Sequence, residues 1–145
     1  MDRITNNLGA AQDEIVQTKT AELSQETREA IAFVLNYQPY ACYDAAPRIK
    51  AVLLRSGIKD EDCNILTSPS SRHFWVRMGT ETFSTTDMPN FRQAPTTNDK
   101  TRELEQLAKR HAETESKEEF DNWIYDKNGE LLKIHQKTED DVRRY

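Results

Sequence analysis

Glycine, cysteine and long apolar runs are all scarce in this chain, and each scarcity closes off a class of protein. Only four glycines occur in 145 residues, and no glycine-rich loop is available to cradle a phosphate. The two cysteines, Cys42 and Cys63, are too few for a disulfide framework; two thiols fit a reducing cytosol. No apolar run approaches the roughly 20 residues that span a bilayer, so no membrane partner is expected. The opening Met1-Asp2-Arg3-Ile4 lacks the apolar core of a secretory signal. Cys42, Cys63, His73, His111 and His135 show no metal-ligand spacing, so neither a metal nor another cofactor is expected. Positive charge is also in deficit: the net charge of −5 weighs against a large phosphate-tracking surface. What remains is a soluble, cytoplasmic chain of one domain, with or without an appendage.

The pattern of apolar residues predicts α+β architecture. Residues 1–22 read as a polar N-terminal segment or linker, and 23–145 as the domain. Ser24 is an N-cap candidate, with Glu26 in the first turn; Ile31, Val34 and Leu35 then mark a helix over 25–36, ended by Pro39. In a second helix Ala45, Ile49, Val52 and Leu53 form one stripe, with Asp44 as the expected cap, Pro47 in the first turn and Gly57 as the stop. Residues 63–66 predict a strand, and 68–71 a loop. Alternation over 73–78 puts His73, Trp75 and Arg77 on one face and Phe74, Val76 and Met78 on the other. Gly79-Thr80 turns into a partner strand over 81–85. Residues 86–98 read as a surface loop holding Pro89 and Pro95. A charged helix follows from Asn98 to about Lys117. Asp126-Lys127-Asn128-Gly129 predicts a hairpin between Trp123-Ile124-Tyr125 and Leu131–Ile134.

The chemistry concentrates around the second helix. A cysteine at a helix mouth is favoured as thiolate, because unpaired amides and the macrodipole both stabilise negative charge there. His73, at the start of a strand some thirty residues later, supplies what a thiol nucleophile needs as base and proton carrier. With Asp44 as cap, residue 45 becomes the first helical position and Cys42 falls just before it.

In this arrangement the chain resembles the papain-fold toxin domains of bacterial polymorphic toxin and contact-dependent inhibition systems. Those domains open a helix with Cys-x-x-Cys-Ala, followed by Ile, Leu and Gly-Ile at fixed offsets. A strand beginning with His comes next, then a turn and a strand with an aromatic-Asp pair. Here Ile49, Leu53, Gly57-Ile58, His73 and Phe83 fall at those offsets, over roughly residues 35–90. Two positions depart from the pattern. The family's nucleophilic cysteine falls on Ala45, with Cys42 at the accessory cysteine, and Ser84 stands where the family carries the Asp that orients the histidine. Ala45 has three readings: a substitution that silences a toxin, a register in which Cys42 is the true nucleophile, or a domain that is not an enzyme.

The resemblance implies a papain-like fold, with helices on a short antiparallel sheet, and a toxin effector acting in the target-cell cytosol. Its site would comprise position 45 or Cys42 as nucleophile, His73 as general base and acid, and Ser84 or Asp87 orienting the ring. Gln38 is the candidate oxyanion donor. The reaction would be hydrolysis or deamidation of an amide in a target-cell protein, and the implied partner is a cognate immunity protein. Two rivals stand beside it. A ribonuclease could use the same Cys/His site, with RNA held by Arg48, Arg72 and Arg77. A non-catalytic interaction module could use the acidic face of Glu113, Glu115, Glu118 and Glu119. The run from Lys100 to Glu119 reads as a solvated helix face or as a docking surface for the neutralising partner, and Trp75 as a core side chain or a cleft wall.

Overall fold

The structure is a computed structural model that describes residues 23–70, 72–85 and 95–133. The expectations for residues 1–22, for the loop over 86–94, for Asp87 and for His135 lie outside the described residues.

Four main helices pack on a three-stranded antiparallel sheet, the predicted α+β class. The order is α1 (Gln25–Asn36), α2 (Cys42–Arg55), a short 3-10 turn (Asp60–Asp62), β1 (Cys63–Thr67), β2 (Phe74–Met78), β3 (Glu81–Phe83), α3 (Asp99–Thr114) and α4 (Lys117–Tyr125). Ser24 caps α1 by accepting from the Thr27 amide. The strands run in the order β1-β2-β3, with Ile65 opposite Val76 and Val76 opposite Phe83.

Helix α2 is the centre of the molecule. It packs against α1, α3, β1 and β2, and every residue from Ala45 to Leu53 is buried. Ile49, Val52 and Leu53 join Ile65, Phe74, Val76, Met78 and Phe83 in one core, each large apolar side chain contributing about 1.5–3 kcal/mol. Two cations lie inside as well. Lys50 Nζ, with no exposed surface, meets Asp60 Oδ1 at 2.7 Å and Glu105 Oε2 at 3.5 Å, and donates to the carbonyls of Asp60 and Cys63. Glu105 in turn accepts from the Ile65 amide at 2.8 Å, so one network ties α2, β1 and α3 together. Arg48 donates to the carbonyls of Asp44 and Trp123, its guanidinium 4.2 Å from the Tyr40 ring centroid and 4.7 Å from that of Trp123.

Three expectations need correction. The cap of α2 is Ala41 in extended conformation, so the helix begins at Cys42; Asp44 lies inside the first turn and Pro47 in the second. The charged helix forms as α3 from its Asn98 cap but ends at Thr114, and a second helix begins at Lys117 after a break at Glu115-Ser116, where Ser116 and Glu119 form a capping box. The hairpin over 123–134 is also overturned. Trp123-Ile124-Tyr125 is the last turn of α4, and Asp126 caps it in the left-handed region (φ 48°). The Asp126 carboxylate accepts from the Glu130 amide and the Tyr37 hydroxyl, both at 2.9 Å. A left-handed Asp with a Gly three residues on serves a helix end as readily as a hairpin. The capping box upstream decides for the helix.

Candidate functional site

The start of α2 has no side-chain cap. Ala41 is extended (φ −70°, ψ 171°), and its carbonyl accepts from the amides of Asp44 and Ala45 at 2.9 and 2.8 Å. Cys42 is therefore the first helical residue, where the leading amides have no intrahelical acceptor. The first helical position is thus 42 and not 45. Ala45 is 1% exposed and part of the central core. Cys42 lies one turn earlier on the same stripe, half-buried at the open end of that core, and Tyr43 beside it is exposed. Cys63 is fully buried, and burial pushes its thiol up to about 11, which removes it as a nucleophile at neutral pH.

His73, expected as the first residue of the strand, lies just before β2 and meets Ser84, which follows β3. His73 Nε2 and Ser84 Oγ are 2.7 Å apart. The imidazole also stacks on Trp75, with centroids 5.7 Å apart and planes 24° from parallel. Its backbone is fixed by Thr67, whose buried hydroxyl donates to the His73 carbonyl at 2.7 Å; the Thr67 main chain pairs on its other side with Thr96. Burial lowers the His73 pKa, which keeps the ring neutral at pH 7, the form a general base requires. Trp75 is buried, so it fills space beneath the ring and is not an open cleft wall.

The other expected residues are placed as follows. Gln38 is exposed in the turn between α1 and α2. Arg48 is buried and committed to main-chain carbonyls, while Arg72 and Arg77 are exposed. Among the described residues no group of three or more His, Cys, Asp or Glu is placed to hold a metal ion, and no helix is long and apolar enough to cross a membrane.

A second constellation was not anticipated. His111 near the end of α3 stacks on Trp123 of α4, with centroids 3.6 Å apart and planes 2° from parallel. Its Nδ1 lies 2.8 Å from Glu115 Oε2. The pair sits in a groove of about 430 Å³ lined also by Arg48 and Asn122. The i,i+4 spacing of His111 and Glu115 was visible in the sequence. The stacking partner was hidden by reading Trp123 as a strand residue. No family model, curated protein or solved structure matches this chain.

Proposed function

We propose that the chain is an antibacterial toxin effector with a papain-like thiol–imidazole site, hydrolysing or deamidating an amide in a target-cell protein. Cys42 is the nucleophile and His73 the general base and acid. The observation that carries this reading is the 2.7 Å His73–Ser84 pair on a sheet packed against the helix that Cys42 opens.

Chain geometry supports the pairing. Seven residues, 56–62, return the chain from α2 to β1, and elements joined so tightly and packed together run back along each other. Five residues of β1 advance about 14 Å, the rise of roughly nine helical residues. The Thr67 end of the sheet, with His73 just outside it, is thereby carried toward the opening turns of α2. Cys42 and His73 are both at element ends, the first half-buried and the second buried.

In the reaction the Cys42 sulfur attacks the amide carbonyl carbon as thiolate, its proton held by His73. The C–N bond breaks as His73 returns that proton to the leaving amine. Water then hydrolyses the thioester, giving His73 its proton and regenerating the thiol. Ser84 fixes the ring through Nε2 but brings no charge. Asp87, four residues past Phe83, is the carboxylate available to that role. Ala45 is then a native core residue, and the immunity protein would cover the mouth of α2.

The ribonuclease reading is weaker by one residue, since Arg48 is bound to Asp44 and Trp123. Growth of bacteria expressing this chain from an inducible promoter tests the proposal, beside Cys42→Ser, His73→Ala and Asp87→Ala. Arrest by the parent alone, with intact tRNA and rRNA, is the expected result. Undiminished arrest by Cys42→Ser would sink it.

A further inference from the structure

The β1–β2 ladder stops one residue short of the histidine. Its last pair is Thr67 opposite Phe74, so His73 lies just beyond the paired residues of β2. In an antiparallel pair the N–H and C=O of one residue point to the same side of the strand. Both of these groups in Thr67 are engaged with Thr96: the Thr67 amide donates to the Thr96 carbonyl, and the Thr96 amide donates to the Thr67 carbonyl, each at 2.9 Å. Ile65, two residues earlier, shows the same sense, its amide turned to Glu105 at the outer edge of the sheet. The main chain of Thr67 therefore points away from β2, and its side chain is what reaches the other way. The hydroxyl donates to the His73 carbonyl at 2.7 Å.

Packing alone does not ask for a hydroxyl here. Thr67 has no exposed surface, and valine has the same branched shape with no polar atom to desolvate. The hydroxyl is explained by the carbonyl it binds, and that carbonyl belongs to the residue that carries the imidazole. A residue has only two soft main-chain dihedrals, so pinning its carbonyl narrows the direction in which its side chain leaves the backbone. At its far end the ring meets Ser84 Oγ at 2.7 Å, and it stacks on Trp75. The histidine is thus held twice, through its main chain by Thr67 and through Nε2 by Ser84. We infer that Thr67 is a positioning residue for His73, setting the main chain from which the imidazole meets Ser84 and serves the Cys42 thiol. The effect on the thiol rests on the thiol–imidazole reading proposed above; the effect on the ring does not.

The test compares Thr67→Val, which removes the hydroxyl, with Thr67→Ser, which keeps it. The His73 ring is followed by long-range proton–nitrogen NMR, which reports both ring nitrogens, and by its C–H protons, which feel the Trp75 ring current. Alkylation of Cys42 by iodoacetamide on the acid side of neutrality reports service to the thiol. Thr67→Val should displace the His73 resonances while those of His111 stay in place, and Thr67→Ser should restore them. Alkylation should fall about threefold to tenfold in Thr67→Val, as loss of one hydrogen bond implies, and recover in Thr67→Ser. A threonine that served stability alone would lower the melting temperature and leave the ring signals of the folded protein where they were. His73 resonances in Thr67→Val that coincide with those of the parent would therefore overturn the inference, as would a serine variant displaced as far as the valine one. A displaced ring with unchanged alkylation would uphold the positioning and remove the pairing of His73 with Cys42. Should Thr67→Val not fold, Thr67→Ala takes its place against Thr67→Ser, since the smaller side chain leaves room for water at the His73 carbonyl.

Discussion

Replacing Lys50 by methionine keeps a side chain of similar length inside α2 and removes the ammonium that ties α2, β1 and α3 together. Lys50 has no exposed surface and meets two carboxylates, Asp60 at 2.7 Å and Glu105 at 3.5 Å. Removing one side of a buried ion pair costs about 3–5 kcal/mol when the abandoned charge stays buried. Here the cost is moderated. The Asp60 side chain is 51% exposed and can return to water, and Glu105 keeps its hydrogen bond from the Ile65 amide. The expected loss for Lys50→Met is about 2–4 kcal/mol, a large part of the roughly 5–15 kcal/mol that holds a domain together. Alanine at this position adds about 2 kcal/mol for the methylenes lost. In urea denaturation followed by tryptophan fluorescence, with a slope of about 2 kcal/mol/M, the methionine variant should shift the midpoint down by about 1–2 M. The triple variant Lys50→Met, Asp60→Asn, Glu105→Gln should recover part of that loss, because the carboxylate charges leave with their partner. A methionine variant as stable as the parent would refute the reasoning.

Native thiol counting should find Cys63 unreactive until denaturant is added, and Ala45→Cys should add a second such silent thiol, because both positions are in the core; fast labelling at 45 would restore the register that the resemblance suggested. Burial lowers the His73 pKa, so the unfolded chain takes up that proton first. The stability involved is complete above the unfolded value, about pH 6.5, and is lost as pH falls from there through the folded value. His73→Gln should therefore flatten the thermal-stability profile just below pH 6.5, and an unchanged slope would contradict the burial argument. Asp126→Ala should cost about 1–3 kcal/mol in urea denaturation, combining a left-handed backbone with lost bonds from Tyr37 and Glu130. Asp126→Gly should recover only the backbone part, and full recovery would show that the side-chain bonds contribute nothing.

The fold was most legible where period and punctuation agree. Ser24, the Ile31/Val34 spacing, the Ile49–Leu53 stripe and the alternation over 73–78 each pointed to the element that formed, the strand starting one residue later at Phe74. It was least legible where one local signal has two uses. Asp126-Gly129 can close a hairpin or end a helix, and only the Ser116–Glu119 capping box breaks the tie. The start of α2 was misplaced for a related reason. Asp44 is a good cap by residue type, yet Ala41 caps through its backbone alone, and nothing in the type of an alanine announces that. That three-residue shift moved the first helical position from 45 to 42. The His73–Ser84 pair was expected only through the family resemblance, which sets Ser84 at the place of the residue that orients the histidine. The buried roles of Lys50 and Arg48 were not, because both depend on which main-chain carbonyls tertiary packing brings to them.

The claim that Cys42 and His73 work as a pair is tested most directly by the rate of Cys42 alkylation with iodoacetamide across pH 5–9, in the parent chain and in His73→Ala. A coupled pair predicts rapid alkylation that persists on the acid side of neutrality and falls at least about tenfold there when the imidazole is removed. Superimposable profiles for the two proteins would contradict the pairing and leave Cys42 as an ordinary thiol at a helix end.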